Sequence, residues 1–144
     1  MAVWTTPKTD WHGETDPEGI YTGDRFNAED YNRIKNNIQY LHDLALELYE
    51  PYTHSDMGDD KDPGNFFYAD EINLMETNFT NLVANTLNRD YGTQPLYYAN
   101  GLTMDFNELN RLESATLNMY VLLTNEKQGV RHFTWNFGYR GLQQ

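Results

Sequence analysis

Apolar residues recur at three- and four-residue steps in three stretches of the chain. In the first, Tyr31, Ile34, Ile38, Leu41, Ala45 and Leu48 fall on one face, with Tyr40 and Leu44 widening it. In the second the face is Ile72, Met75, Phe79, Leu82 and Val83, and in the third Leu109, Leu112, Thr116, Met119 and Leu123. This is the period of amphipathic helices, and it predicts three of them, over about 27–50, 68–88 and 104–125. Local signals agree with those limits. Asn27 can cap the first helix with Asp30 at the third position, and Asp70 and Glu71 suit the positive end of the second. Pro51, the Asn88-Arg89-Asp90-Tyr91-Gly92 run and Asn125 to Gly129 stand at the expected ends.

The three stretches also resemble one another. Tyr31-Asn32-Arg33-Ile34, Ile72-Asn73-Leu74-Met75 and Leu109-Asn110-Arg111-Leu112 share one register, each preceded by an acidic residue (Asp30, Glu71, Glu108). Copies spaced by about 40 residues suggest three similar helices rather than a long solenoid. The shared Asn32, Asn73 and Asn110 sit between apolar positions. Such amides either fix register by hydrogen bonding near an interface or form an exposed polar flank kept through duplication.

The flanks read differently. Residues 1–26 lack helical period and form an expected extended arm, with a turn at Asp16-Pro17-Glu18-Gly19. Trp4 and Trp11 seek burial, either on this chain's helices or on a neighbouring subunit. The 51–66 loop gathers Asp56, Asp59, Asp60 and Asp62. The calcium-loop pattern fails there, with Gly58, Lys61 and Phe67 at its third, sixth and twelfth positions, and a solvated acidic loop is expected. Asn78-Phe79-Thr80 matches a glycosylation acceptor by chance, since Phe79 belongs to the apolar face. Leu96-Tyr97-Tyr98 is a short extended segment whose tyrosines point opposite ways. In the last segment, 126–144, Phe133, Trp135, Phe137 and Tyr139 alternate with polar or small residues, which predicts a strand. That strand needs an edge, from a local ribbon or from a partner. The expected architecture is mainly α: a three-helix bundle with an extended aromatic N-terminal arm and a short C-terminal β-strand.

Composition narrows the function classes. The chain of 144 residues carries 22 acidic and 10 basic side chains, a net charge of -12, so nucleic acid and anionic membrane surfaces are poor partners. No apolar run reaches membrane-spanning length, and no basic-then-apolar leader opens the chain. Without cysteine there is no disulfide, thiolate metal site or cysteine nucleophile. His12, His42, His54 and His132 lie in four separate segments with no metal-ligand spacing between them, and His42 reads as structural. No phosphate loop, nucleophile elbow or zinc-protease motif occurs. The expectation is a non-enzymatic chain with no catalytic residue, cofactor or metal. Aromatic residues make up 15% of it, which suits protein interfaces or sugar-binding surfaces.

Trp4, Pro7, Lys8, Thr9, Asp10 and Trp11, followed by Phe26, Asn27, Asp30, Tyr31, Asn32, Arg33, Ile34, Asn37, Ile38 and Leu41, form a "W-x-x-P-K-T-D-W" arm before "F-N-x-x-D-Y-N-R-I-x-x-N-I-x-x-L". This resembles small structural proteins of tailed bacteriophages and prophages of Gram-positive bacteria, over the first third of the chain. A longer Gly/Pro/Glu insertion between Trp11 and Phe26 departs from the pattern. The resemblance implies a virion component made in the bacterial cytoplasm, associated with tail, baseplate or fibre attachment. Its implied partners are other virion proteins and further copies of itself, without nucleic acid or membrane. Trp4, Pro7, Trp11, Phe133, Trp135 and Tyr139 are the expected partner-binding residues. Alternative expectations are a tail-tip module that binds host cell-wall saccharide, a head or neck decoration protein, and a prophage-encoded inhibitor of a basic host protein.

Overall fold

The computed structural model describes residues 2–99 and 104–142, with side chains described as far as Gly129. The chain is mainly helical. A two-stranded antiparallel sheet, β1 (Gly13–Thr15) and β2 (Tyr21–Gly23), precedes α1 (Ala28–Ala45), α2 (Ala69–Ala84) and α3 (Phe106–Leu142). Each helix starts at the same point of the repeat. The Asn27 side chain accepts the Asp30 amide at 3.0 Å while Asp30 accepts the Asn27 amide at 3.2 Å. Glu71 accepts the Tyr68 amide, and Asp105 accepts the Glu108 amide. These contacts satisfy amides that a helix start leaves unpaired.

The apolar faces meet in one core. Tyr31, Ile34, Ile38 and Leu41 of α1, Met75, Phe79 and Leu82 of α2, and Leu109, Leu112, Met119 and Leu123 of α3 are all buried in a single cluster. Contacts with α3 advance together along both segments: Arg33 of α1 meets Glu113, and Glu47, just past the end of α1, meets Lys127. From α1 to α2 the same holds through the intervening loop: Asn32 and Glu71 both bind Lys61, while Gln39 binds His54 and Asn78 binds its neighbour Ser55. All three helices therefore run in the same direction, and every connection must return along the full length of a helix.

The return paths are extended segments held by asparagine. Asn37 of α1 and Asn110 of α3 grip the arm at Thr5 and Trp11. Each amide donates to the arm residue's carbonyl, at 2.7 and 2.8 Å, and accepts its N–H, at 2.9 and 2.8 Å. Asn78 of α2 and Asn32 of α1 hold Ser55 and Lys61 in the same bidentate way. Asn73 of α2 holds Tyr97. An asparagine side chain here completes both hydrogen bonds that a neighbouring strand would otherwise supply. Thr5 and Trp11, Ser55 and Lys61, and Tyr91 and Tyr97 are each six residues apart, so the arm and the two return segments share one register. Ala115 stands where the sixth asparagine would be, and the Tyr91 hydroxyl instead donates to Asn118. The asparagines of the shared register thus fix register against backbone, not helix against helix. Asn78, at 1% exposure and fully engaged, is closed to glycosylation.

The insertion between Trp11 and Phe26 is the β1–β2 hairpin, turning at Asp16–Gly19. The His12 amide donates to the Asp24 carboxylate and the Asp24 amide to the His12 carbonyl, so the excursion closes on itself and leaves the arm's path unchanged. Gly23 needs its positive φ of 132° and would bring a Cβ within 2.6 Å of the Gly13 backbone. The expected C-terminal strand over 126–144 is not formed: α3 continues without a break to Leu142. Alternating aromatics suit a strand only where an edge is available, and among the described residues the only sheet is the self-paired hairpin. A segment without a partner edge meets its backbone hydrogen bonds internally, as a helix.

Candidate functional site

Charged residues between the helices follow the repeat and are consumed by packing. Arg33 and Arg111 occupy one register position, with Leu74 in the third copy; Glu76 and Glu113 occupy another, with Lys35 in the third. Glu113, 1% exposed, accepts from Arg33 Nε at 2.7 Å and Nη2 at 3.0 Å, from the Lys8 amide and from the Trp11 indole N–H. Arg111 pairs with Glu76 and with Glu108. Burial pushes the Glu76 carboxyl up to about 7, against the pull of Arg111. Where Leu74 replaces the arginine, a buried glutamate would lack a counter-charge, and Lys35 stands there instead. Its ammonium donates to the Gly58 carbonyl at 2.9 Å and pairs with Asp60 at 2.7 Å. Asp60 of the acidic loop is thus already engaged. Among the described residues no group of three His, Asp or Glu could hold a metal ion.

His42 and His54 stack face to face at 3.8 Å, with Tyr52 edge-on to His42 at 5.0 Å. Burial, and then the neighbouring His42, lowers the His54 pKa to about 4. With the His54–Gln39 contact, the pair pins the start of the connection between α1 and α2 to α1.

The surface left free lies where the three helices begin. The residues before the caps, Phe26, Phe67 and Met104, share one repeat position and turn inward; Phe26 and Phe67 lie 5.0 Å apart. Around them opens a concavity of about 1410 Å³ walled by residues from all three helix starts, the hairpin and the Tyr97–Ala99 segment. Its rings are largely uncovered: Phe66 is 76% exposed, Tyr98 68% and Tyr68 59%, with Phe106 and Tyr21 also exposed. Tyr97 and Tyr98 face opposite ways, the first buried and the second free. With Asp24 already paired to Lys8, Asp70 and Asp105 against a single base, Arg25, leave the wall acidic.

The structure places the expected partner-binding residues elsewhere. Trp4 stacks on Tyr120 at 4.1 Å and tilts against Tyr40; Pro7 is buried; Trp11 is 4% exposed and hydrogen-bonded to α3. All three hold the arm to this chain's own helices. Phe133, Trp135 and Tyr139 fall on the last part of α3, and their side chains lie outside the described ones. The exposed rings at the helix starts were not singled out from sequence. A partial signal was the Phe66-Phe67-Tyr68 run at the second helix start, where a single apolar staple residue would suffice and three rings stand.

No known protein family, curated protein or solved structure matches the chain.

Proposed function

We propose that the chain is a non-enzymatic structural protein of a phage particle: a parallel three-helix bundle that serves as a rigid connector and meets its neighbour through the aromatic concavity. The observation that carries this is the cluster of uncovered rings gathered where the three helices begin. Exposed aromatic patches of this kind mark interaction surfaces. The N-terminal arm resembles that of phage tail and baseplate-associated proteins, which supplies the particle context. The contact role passes from Trp4, Pro7 and Trp11, which are occupied internally, to the helix starts. Immunogold microscopy on purified particles from the source tests the reading. Label at the tail or baseplate is expected, label at the head or neck would move the placement, and unlabelled particles from cells that express the protein would refute the virion role.

A second reading is favoured by Tyr68 and Tyr98 beside Asp70 and Asp105, an arrangement that can stack on a sugar ring and bind its hydroxyls. Retention of the protein on cell-wall polysaccharide, lost in Tyr68→Ala and Tyr98→Ala, would select it over the connector.

A further inference from the structure

The two ends of the helix axis are unlike. At the start of the helices lies the acidic aromatic concavity. At the other end α3 runs on past its partners: it has 37 residues against 18 in α1 and 16 in α2, and among the described side chains its last buried core residue is Leu123. The stretch from Lys127 to Leu142 adds about 22 Å of helix. Its composition is the inverse of the remainder. Residues 128–144 hold Arg131 and Arg140 and none of the 22 acidic side chains, while the adjoining Lys127 is already paired with Glu47. They also hold Phe133, Trp135, Phe137 and Tyr139.

We propose that the occupant of the concavity is the C-terminal part of α3 from a second copy of this chain. The proposal rests on the reading of the chain as an assembly protein and names the partner of that same surface. A basic, aromatic helix matches an acidic, aromatic cup in both charge and chemistry. Because cup and helix lie at opposite ends of parallel helices, the contact is heterologous: each copy offers a helix to one neighbour and a cup to another. Such contacts propagate into rows or close into rings, rather than stopping at a two-fold dimer.

Sedimentation velocity of the full chain, from micromolar to several hundred micromolar, tests this. The wild type is expected to form species beyond the dimer as concentration rises, weakening at least tenfold between 0.05 and 0.5 M salt. Two full-length variants separate the ends. Phe66→Ser with Tyr98→Ser alters the cup at exposed positions, and Arg131→Glu with Arg140→Glu alters the helix. Each alone should sediment as a monomer with unchanged circular dichroism, and an equimolar mixture should recover a dimer and nothing larger, since one intact cup then meets one intact helix. A monomeric wild type throughout, a monomeric mixture, or self-association by either variant alone would overturn the proposal. Particle labelling stays independent of this result. Labelled particles with a monomeric wild type sink only the head-to-tail contact, whereas head-to-tail assembly with unlabelled particles sinks only the virion reading.

Discussion

Asn110→Ala is the most informative single substitution in this chain. The Asn110 amide donates to the Trp11 carbonyl and accepts its N–H, both at 2.8 Å. Trp11 is 4% exposed, so water has little access to the groups left behind. Two net hydrogen bonds at about 1 kcal/mol each are lost, and the unpaired backbone groups add a desolvation cost, for a total of about 2–4 kcal/mol. Asn32→Ala removes the same pair of bonds from Lys61, which is half-buried and can be rehydrated, so about 1–2 kcal/mol is expected there. Asn110→Asp keeps the acceptor but replaces the donor with a charged oxygen facing the Trp11 carbonyl, beside Glu113. It should destabilise at least as much as alanine. Urea unfolding followed by circular dichroism measures all three, with the change read from the midpoint at constant slope. A loss below about 0.5 kcal/mol for Asn110→Ala, or a larger loss for Asn32→Ala, would refute the clamp as the device that holds the arm.

Glu113→Gln leaves the half-buried Arg33 without its main counter-charge, and a loss of about 3–5 kcal/mol is expected by the same unfolding assay. Trp11→Ala opens a core cavity and should cost about 3–5 kcal/mol, whereas Trp4→Ala removes a half-buried stack on Tyr120 and should cost clearly less; comparing their thermal midpoints checks the order. For pH, His54 is lowered from 6.5 to about 4, so the fold favours its neutral form. Its contribution is complete above pH 6.5 and is lost as pH falls towards 4, by about 1–2 kcal/mol after allowance for the half-exposed ring. Glu76, raised from 4.5 to about 7, acts in the opposite sense and gains stability as pH falls through the same window. The stability difference between wild type and His54→Asn should therefore shrink from pH 7 to pH 4, and a difference that stays flat would refute the His42–His54 account.

The helices were legible because burial imposes a period, and Ile34, Ile38 and Leu41 cannot share a core unless they share a face. Asn27 and Asp30 fixed a start, since a cap is a local bond between residues three apart. The asparagine repeat was visible too, but its partner was not. Asn110 bonds to a residue 99 positions away, and nothing in the local pattern of either segment names the other. The C-terminal segment was misjudged for a related reason. Phe133, Trp135, Phe137 and Tyr139 have strand propensity, yet a strand exists only by pairing, and whether an edge is present is a tertiary fact. The hairpin announced its turn at Asp16–Gly19 but not its short strands, which carry no apolar alternation. As for the site, Trp4 and Trp11 were correctly read as residues that must be buried. The sequence left open what buries them, and the helices of the same chain proved to be the answer.

The parallel arrangement of the helices has a consequence for how the chain reaches its native state. The groove that receives residues 4–11 is bounded by α1 on one side and α3 on the other, through Asn37 and Asn110. During synthesis the arm emerges well before α3, so its second wall is made after it. Until α3 arrives, Trp4 lacks its stacking partner Tyr120, Trp11 lacks Asn110 and Glu113, and Arg33 has not met Glu113. Contacts of such long sequence separation are slow to close and leave apolar surface uncovered meanwhile. The arm is therefore a latch that locks only after translation of the third helix, and a chain cut short before Asn110 would carry two loose tryptophans instead of a shorter version of the same fold.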